Sequence, residues 1–326
     1  MTKKLKKNVV RRKLKILIVG AGDVARRLTA LDAHVGLSER VNWFGLARSI
    51  ETASELRSAG ILPIMGDLDR RGSLKRAGAM ARAANAVLHL APPAGDGVDD
   101  LRMQRWLASS ARRGTARNEI KTRLRPRKMR SVYVSTTGVY GDCAGERISE
   151  TRRSRPANGR AKRRVAAETR LRGSHQHRFT ILRAPGIYAA ERLPVERLRA
   201  GTAALSAEDD VFTNHIHADD LARAVWLALF RGRANRVINV VDDGELKMGD
   251  YFDQVARATG LPRPPRLPRA ELSRIVSPMA YSFMSESRRI TNTRMKRELR
   301  LQLRYPTPAA LLRSMKPASA LQRTLI

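Results

Sequence analysis

At 326 residues and 42% hydrophobic content, the chain is long enough to bury a large core in one domain or in two closely packed ones. No apolar run approaches the roughly 18–20 residues of a membrane span, and the single cysteine, Cys143, excludes an internal disulfide, so we expect a cytoplasmic protein without a membrane partner. The formal net charge of +34 predicts non-specific attraction of polyanions at low salt, but the basic runs lack interleaved aromatic residues, so specific nucleic-acid binding is not expected.

The first half of the sequence alternates short apolar runs with segments whose apolar residues recur at helical spacing. A basic tail, residues 1–14, precedes this pattern. The predicted strands are Lys15–Val19, Val41–Ala47, Leu62–Met65, Ala86–Leu90, Ser131–Ser135 and Phe179–Leu182. The predicted helices are Val24–Ala33, Ile50–Ala59, Leu74–Ala84 and Arg102–Ala111. Such alternation is typical of βαβ crossovers and predicts an α/β fold of the Rossmann type, with a doubly wound parallel sheet.

The second half of the sequence is less regular. Before it, Arg112–Arg130 shows little periodicity and is predicted to be a basic helix end followed by a loop. Helices are predicted over Asp219–Phe230 and Met248–Thr259, and a strand over Arg236–Val241. The prolines of Pro262–Pro268 indicate a rigid connector. This layout predicts a small C-terminal substrate lobe attached to the Rossmann-type domain.

A glycine-rich turn directly follows the first predicted strand and precedes the first predicted helix. Its G-x-G-x-x-A pattern begins at Gly20 and Gly22, continues through Asp23 and Val24, and ends at Ala25. The first glycine permits the tight turn, the second lets a pyrophosphate approach the backbone, and the small last residue allows close helix–strand packing. The turn therefore predicts dinucleotide binding by these five residues, with a purely structural glycine turn as the alternative.

The end of the second predicted strand indicates which dinucleotide is preferred. NAD-selective sites place an acidic residue on the ribose hydroxyls at this point, but Glu39 lies at the opposite end of the strand. Arg48 and Ser49 stand there instead and could bind a 2′-phosphate, which favours NADP(H) over NAD(H). An arginine present by chance is the alternative. After the third strand, Asp67 and Leu68 are predicted near the adenine, unless Asp67 serves only as a turn residue or helix cap.

The segment Val132–Gly141 resembles the strand-five signature of the extended short-chain dehydrogenases/reductases, the group of NAD-dependent epimerases and dehydratases. In that family a hydroxyl residue at the end of the strand holds the reacting oxygen of the substrate, and Thr136 matches it. Three other segments also resemble family segments: 89–93 beside the cofactor, 182–188 over the nicotinamide, and 214–220 at the return from the substrate lobe. The resemblance therefore implies cofactor contacts by Leu90, Ala91, Pro92 and Pro185.

The resemblance also suggests a division of the chain. Residues 15–185 would form the dinucleotide-binding Rossmann domain, and residues 186–326 mainly the substrate lobe. A segment at about 214–241 would return to the Rossmann domain.

The sequence departs from the family where a Tyr-x-x-x-Lys pair is expected, with tyrosine as the general acid/base. The residues at both ends of Pro156–Glu168 fix a register that places Arg160 and Arg164 at these two positions. A register shifted by two residues gives Asn158 and Lys162, which still supplies no tyrosine. A guanidinium stays protonated at neutral pH, so Arg160 is not expected to act as a base, whereas Arg164 could hold the ribose or a phosphate. The pattern resembles the atypical branch of the superfamily.

Other candidate residues have two interpretations each. Tyr140 and Tyr188 could lie near the nicotinamide and replace the missing acid, or simply pack in the core. His215 and His217 are expected on opposite faces of a strand, which argues against a metal pair and favours capping of the next helix. No metal site is predicted. The segment Ser285–Arg289 could contact a substrate anion or cap a helix.

These features predict an NADP(H)-dependent, epimerase/dehydratase-like oxidoreductase. It would act on a carbonyl or hydroxyl group of a small molecule, with nucleotide-linked substrates among the candidates. Thr136, Arg160 and Arg164 are the candidate catalytic residues. A non-catalytic NADP(H)-binding or redox-sensing protein is the main alternative, and a scaffold for polyanions is a third. The oligomeric state is open, with a homodimer as one option.

Overall fold

The computed structural model describes residues 13–35, 40–111, 129–174 and 177–315. The predicted basic tail lies almost entirely outside these residues, as do Glu39 and residues 112–128 of the predicted basic loop. Among the helices that can be described, none combines the length and the apolar character that a bilayer crossing needs.

A seven-stranded parallel sheet forms the centre of the fold, in the order β3-β2-β1-β4-β5-β6-β7. Its strands are β1 (Leu14–Val19), β2 (Val41–Ala47), β3 (Leu62–Met65), β4 (Ala86–His89), β5 (Met129–Thr136), β6 (His177–Ala184) and β7 (Arg236–Asn239). The strand order reverses between β1 and β4, where a Rossmann-type sheet opens a crevice at the carboxyl ends of its strands. This architecture confirms the predicted α/β fold.

The described part of the chain contains eleven α-helices. They are α1 (Asp23–Val35), α2 (Ile50–Ser58), α3 (Lys75–Ala83), α4 (Leu101–Ser110), α5 (Gly159–Arg172), α6 (Val195–Arg199), α7 (Ala218–Arg231), α8 (Met248–Thr259), α9 (Arg269–Ile275), α10 (Pro278–Met284) and α11 (Pro308–Ser314). Side-chain caps start several of them. Asp100 accepts a hydrogen bond from the Met103 amide at α4, and Asn158 accepts one from Ala161 at α5.

Both faces of the sheet are covered, which explains the nearly continuous apolar runs of its strands. Alternate residues of β1 point to the two faces. Ile16 and Ile18 pack with side chains of α1, α2 and α7, while Leu17 and Val19 pack with side chains of α3, α4 and α5. Helix α7 also contacts α1, and β7 pairs with β6 at the sheet edge. The chain thus adds a last strand to the main sheet at β7.

The part of residues 186–315 that lies outside α7 and β7, here called the lobe, has its own apolar clusters, and four short strand pairs lie outside the main sheet. One cluster contains Tyr188, Phe252 and Leu311, and another contains Leu205, Leu272 and Met284. The pairs are 147–148 with 289–290, 186–188 with 215–217, 204–205 with 266–267, and 212–213 with 246–247.

A buried ion pair fixes α5 against the sheet. The Arg183 guanidinium on β6 donates to both carboxylate oxygens of Glu168 on α5, at 3.0 and 2.6 Å. The Ser135 hydroxyl at the end of β5 donates to the same carboxylate at 2.7 Å. Burial alone would lower the pKa of Arg183, but the hydrogen bonds and charge of Glu168 outweigh it and raise that pKa. The third turn of α5 is therefore held against the carboxyl ends of β5 and β6.

Several titratable groups are buried in the folded chain. Burial lowers the pKa of His89 to about 3, and the pKa values of His177 and His215 to about 4. His177 still bonds to the Ser110 and Ser131 hydroxyls, at 3.1 and 3.2 Å. Burial raises the pKa of Asp242 to about 8. These four residues predict a marked dependence of stability on pH.

Candidate functional site

The two glycines of the turn between β1 and α1 have different structural roles. Gly20 has a φ of +91°, and a Cβ there would lie 2.3 Å from the backbone nitrogen of Ala91. A side chain at Gly20 is therefore excluded by the fold itself. A Cβ at Gly22 would meet no atom within 4 Å. The Gly22 carbonyl accepts from the Ala25 amide at 3.1 Å, which begins α1. Gly22 thus leaves open space in front of the helix.

A cleft of about 440 Å³ lies in this space, at the carboxyl edge of the sheet. The glycine turn forms one side, and the other sides are formed by the segment after β4, the ends of β5 and β6 with the segment that follows β6, and residues of α5 and α7. Among its walls are the predicted residues Gly20, Gly22, Asp23, Val24, Leu90, Pro92, Thr136, Arg160, Arg164 and Pro185. The predicted residues outside its walls are Ala25, Arg48, Ser49, Asp67, Leu68 and Ala91.

A second cleft, of about 340 Å³, adjoins the first on the side of the lobe. The two clefts share five wall residues: Thr136, Arg160, Pro185, Ile187 and Arg192. The rest of the second cleft is partly aromatic, through Phe212 and Phe283, and partly polar, through Asn158, Asn214 and Glu286. The clefts therefore meet where β5 and α5 come together.

Thr136 ends β5 at this junction. Its Oγ1 accepts a hydrogen bond from the Gly138 amide at 3.2 Å, and its side chain is half-buried. Because the oxygen serves as the acceptor in that bond, the hydroxyl hydrogen is left to donate into the cleft. A short helical turn, Thr137–Tyr140, follows at once and fixes the position of Thr136.

Arg160 and Arg164 lie one turn apart on α5, and both line the first cleft. Nη1 of Arg164 lies within hydrogen-bonding distance of the Val134 carbonyl and the Tyr133 hydroxyl, both at 2.9 Å, and of the Ala91 carbonyl at 3.3 Å. Its guanidinium also lies over the Tyr133 ring, 5.5 Å from the centroid. Arg164 thus bridges the segments that end β4 and β5 in the wall of the first cleft.

Tyr140 and Tyr188 are both packed in the interior. The Tyr140 hydroxyl donates to the Asn239 side chain at 2.7 Å, and the Tyr188 hydroxyl donates to the Tyr305 carbonyl at 3.3 Å. Burial raises the pKa of both phenols. Within the described residues, no tyrosine lines either cleft. The packing interpretation therefore fits these two residues better than an acid/base role.

The surface beyond β2 and β3 carries the predicted specificity residues. Arg48 is exposed, while the Ser49 hydroxyl caps α2 by accepting from the Thr52 amide at 3.2 Å. The Asp67 carboxylate accepts from the Asp69 amide at 2.9 Å, so it acts as a turn residue in this structure. Arg102 forms a two-point ion pair with Asp69, with contacts of 2.9 and 2.5 Å. No local pattern in the sequence indicates this pair.

A charged network that the sequence did not reveal joins α1 to the lobe. The Asp23 carboxylate pairs with Arg27 on its own helix and with Arg192 from the lobe, each at 3.1 Å. Arg27 also contacts Glu191 and, at 2.6 Å, Asp219 at the start of α7. Two guanidinium groups therefore offset the negative charge of Asp23 at the mouth of the first cleft.

His215 and His217 correct one expectation and support another. The expectation that they lie on opposite faces is wrong, because residues two apart on a strand share a face, and both rings contact the Tyr188 ring, at centroid distances of 6.2 and 5.2 Å. Nδ1 of His217 accepts from the Asp219 amide at 3.1 Å, so His217 caps α7 as predicted. The described residues contain no group of side chains suited to a metal ion.

Comparison with known proteins adds a family match. The model of the NAD-dependent epimerase/dehydratase family matches residues 16–241. Protein YeeZ of Escherichia coli K12 is 26% identical over 182 residues, which cover 56% of this chain and 61% of YeeZ. The matched region thus spans less than two thirds of that relative.

Solved structures resemble nearly the whole chain. A conserved protein of unknown function from Silicibacter pomeroyi is 26% identical, with a TM-score of 0.69 over 96% of this chain and 99% of the other. The dTDP-glucose 4,6-dehydratase of Bacillus anthracis, in complex with NAD, is 14% identical, with a TM-score of 0.70 over 96% and 97%. The UDP-glucose 4-epimerase of Thermotoga maritima, with UDP-glucose, is 16% identical, with a TM-score of 0.69 over 96% and 100%. The two enzymes at these low identities establish a shared fold.

Proposed function

This chain belongs to the NAD-dependent epimerase/dehydratase family, and from that premise we propose that it is an NADP(H)-dependent oxidoreductase of epimerase/dehydratase type. Its substrate would be a small molecule whose hydroxyl or carbonyl group reacts in the second cleft. Nucleotide-linked sugars are candidates, because the solved enzymes of this fold include one in complex with UDP-glucose.

The observation that carries this proposal is the junction of the two clefts at Thr136 and Arg160. A dinucleotide fits the first cleft on structural grounds. Gly22 faces open space, so a pyrophosphate can approach the backbone there, and the N-terminus of α1 favours negative charge. The pairing of Asp23 with Arg27 and Arg192 reduces the repulsion that its carboxylate would exert on phosphates.

The remaining cofactor contacts follow the course of the first cleft. Leu90, Pro92 and Pro185 would contact the nicotinamide half, with Ala91 behind them against Gly20. Further out, Arg48 and Ser49 would bind a 2′-phosphate, and Asp67 with Leu68 would lie near the adenine. In this proposal residues 15–185 form the dinucleotide-binding unit, and residues 186–326 form mainly the substrate lobe, with about 214–241 returning to the sheet.

The chemistry assigned to the protein is orientation and charge stabilisation. The bound cofactor would supply a carbon that accepts or donates hydride. Thr136 would donate its hydroxyl hydrogen to the reacting oxygen of the substrate, since its oxygen already accepts from Gly138. Arg160 and Arg164 would occupy the positions of the family's tyrosine and lysine. As permanent cations they would stabilise negative charge on the substrate and hold the ribose or a phosphate, without acting as bases.

A non-catalytic, redox-sensing role is the second candidate. It is favoured by one observation, that no tyrosine among the described residues lines either cleft. Such a protein would bind NADP(H) in the same place and use the lobe to report which form is bound.

The two roles are separated by NADPH oxidation against a panel of carbonyl compounds, followed by absorbance. We expect turnover of at least one compound. Thr136→Val should then lower kcat by about 10²–10³-fold, the usual effect of removing one donor to a developing oxyanion, while NADPH affinity is retained. Thr136→Ser keeps the hydroxyl and serves as the matched control. Tight NADPH binding with no turnover in the wild type would contradict the enzymatic role and favour sensing.

A further inference from the structure

One arginine in the wall between the two clefts lacks an acceptor for its guanidinium. Arg160 lies on the first turn of α5, lines both clefts and is exposed to them. Its guanidinium lies 4.8 Å from the centroid of the Phe283 ring. Among the described residues, no carboxylate pairs with it and no carbonyl or hydroxyl accepts a hydrogen bond from it. None of its donors is therefore satisfied by the described part of the protein.

The other three arginines that line these clefts are all engaged. Arg164 donates to backbone carbonyls at the ends of β4 and β5. Arg192 pairs with Asp23 at 3.1 Å. Arg288 pairs with Glu286 at 2.6 Å and donates to the Gly141 carbonyl at 2.7 Å. In this strongly basic chain, these partners show how cleft arginines are normally satisfied. Arg160 is the exception.

The surroundings of Arg160 make its unpaired charge unfavourable. Burial against the cleft wall and the nearby charges of Arg164 and Arg163 lower the pKa of Arg160, and only Glu286 opposes them. Because the Glu286 carboxylate already pairs with Arg288, it attracts the Arg160 guanidinium less strongly. An anion bound at Arg160 would relieve this repulsion and form charge-assisted hydrogen bonds. The Phe283 ring holds the guanidinium in place to receive it.

We propose that the substrate of this protein carries a carboxylate and that Arg160 binds it. A planar guanidinium fork matches a carboxylate in two-point geometry, and one unpaired cation matches one negative charge. A phosphate dianion fits less well, because the single guanidinium of Arg160 balances only one of its two negative charges. The substrate class is thus a hydroxy acid or oxo acid, sugar acids included. This inference rests on the proposed function, because the reacting oxygen is placed at Thr136 in the same wall.

Arginine footprinting with phenylglyoxal, read by peptide mass spectrometry, tests the carboxylate site on the intact protein. The probes are gluconate, glucuronate, lactate and 3-hydroxybutyrate, each compared with its neutral amide and with inorganic phosphate at equal ionic strength. We expect rapid labelling of Arg160, slowed several-fold by at least one of the acids but not by its amide. Arg153, exposed outside both clefts, is the internal control and should be labelled at the same rate throughout. Equal protection by acid and amide, protection by phosphate alone, or no protection would overturn the inference.

Variants at Arg160 separate a direct contact from an indirect one. The acid that protects best should raise the Tm of the wild type with NADPH present, raise it less in Arg160→Lys, and leave it unchanged in Arg160→Gln. The control Arg153→Gln should behave as the wild type. An unchanged thermal shift in Arg160→Gln would contradict the proposed contact.

A separate fluorescence titration of NADPH distinguishes failure of the carboxylate site from failure of the proposed function. If NADPH fails to bind while acids still protect Arg160 from labelling, the proposed function is contradicted and the carboxylate site is supported. If NADPH binds and no acid protects Arg160 from labelling, only the carboxylate site is contradicted.

Discussion

Two valine substitutions in the glycine turn, two residues apart, should have opposite consequences. Gly22→Val adds a side chain where the structure has no atom within 4 Å of the new Cβ. Gly20→Val adds one where the Cβ would lie 2.3 Å from the Ala91 nitrogen, at a backbone φ of +91°. The first change fills the proposed approach of the pyrophosphate, whereas the second collides with the protein itself.

The magnitudes follow from these two environments. Gly22→Val should change the free energy of unfolding by no more than about 0.5 kcal/mol, the range for open surface positions. It should weaken NADPH binding at least about 100-fold, which corresponds to roughly 2.8 kcal/mol. Gly20→Val should lower the free energy of unfolding by about 2–6 kcal/mol, because a strained backbone and an overpacked contact each contribute about 1–3 kcal/mol.

NADPH fluorescence titration measures the affinity of each variant, and urea denaturation followed by circular dichroism measures its stability. Gly22→Ala, with a smaller side chain in the same open space, should show an intermediate loss of affinity at unchanged stability. A folded Gly22→Val variant with undiminished NADPH affinity would refute the reasoning, because the turn would then be only structural. A Gly22→Val variant as unstable as Gly20→Val would refute the structural basis of the comparison.

Three further predictions concern the groups around the clefts and in the core. Arg164→Ala should weaken NADPH binding by about 1–3 kcal/mol in fluorescence titrations, and unchanged affinity would exclude its role as a cofactor ligand. Glu168→Ala should lower the free energy of unfolding by about 3–5 kcal/mol in urea, because it leaves Arg183 buried and unpaired, and a loss below about 1 kcal/mol would contradict that pairing. The pH prediction rests on three buried histidines whose pKa values lie below 6.5, namely His89, His177 and His215. As the pH falls from 6.5 towards 4, the unfolded chain binds three protons on these histidines before the folded chain does. Asp242 cancels the effect of one of them, because its raised pKa keeps it protonated in the folded chain while it is still ionised in the unfolded chain. Stability should therefore fall by about 2–3 kcal/mol per pH unit in this window, and constant stability down to pH 4.5 would contradict the burial of these groups.

The sheet and its flanking helices could be predicted from the sequence because local patterns determine them. The apolar run that became Leu14–Val19 is bounded by a basic segment and a glycine turn, and both of its faces are buried, so its pattern is strong. The amphipathic helix predicted at Asp219–Phe230 forms within one residue at each end. Helix α5 was not among the predicted elements, since its fourteen residues include six arginines and lysines and few apolar side chains. Its position depends on Glu168 meeting Arg183, which is a tertiary contact.

Local motifs also predicted several candidate site residues that the structure brings to one cleft, namely the glycine turn, Thr136, Arg160 and Arg164. The sequence could not show which charged residues pair when they lie far apart in the chain. Arg192 lies 169 positions from the Asp23 that it neutralises. Arg160 lacks the hydrogen-bonding or ionic partners that the other cleft arginines have. In a chain with 64 lysines and arginines, no local pattern shows which of them remain unpaired.

The central claim is that the first cleft binds NADP(H), and parallel titrations of NADPH and NADH test it most directly. The wild type should bind NADPH more tightly than NADH. Arg48→Ala should cost NADPH about 1.5–3 kcal/mol of binding free energy and NADH little, because only NADPH carries the 2′-phosphate. Arg57→Ala removes the same charge at the far end of α2, also from an exposed site, and should leave both affinities unchanged. Preference of the wild type for NADH, or equal loss of both cofactors in Arg48→Ala, would contradict the account.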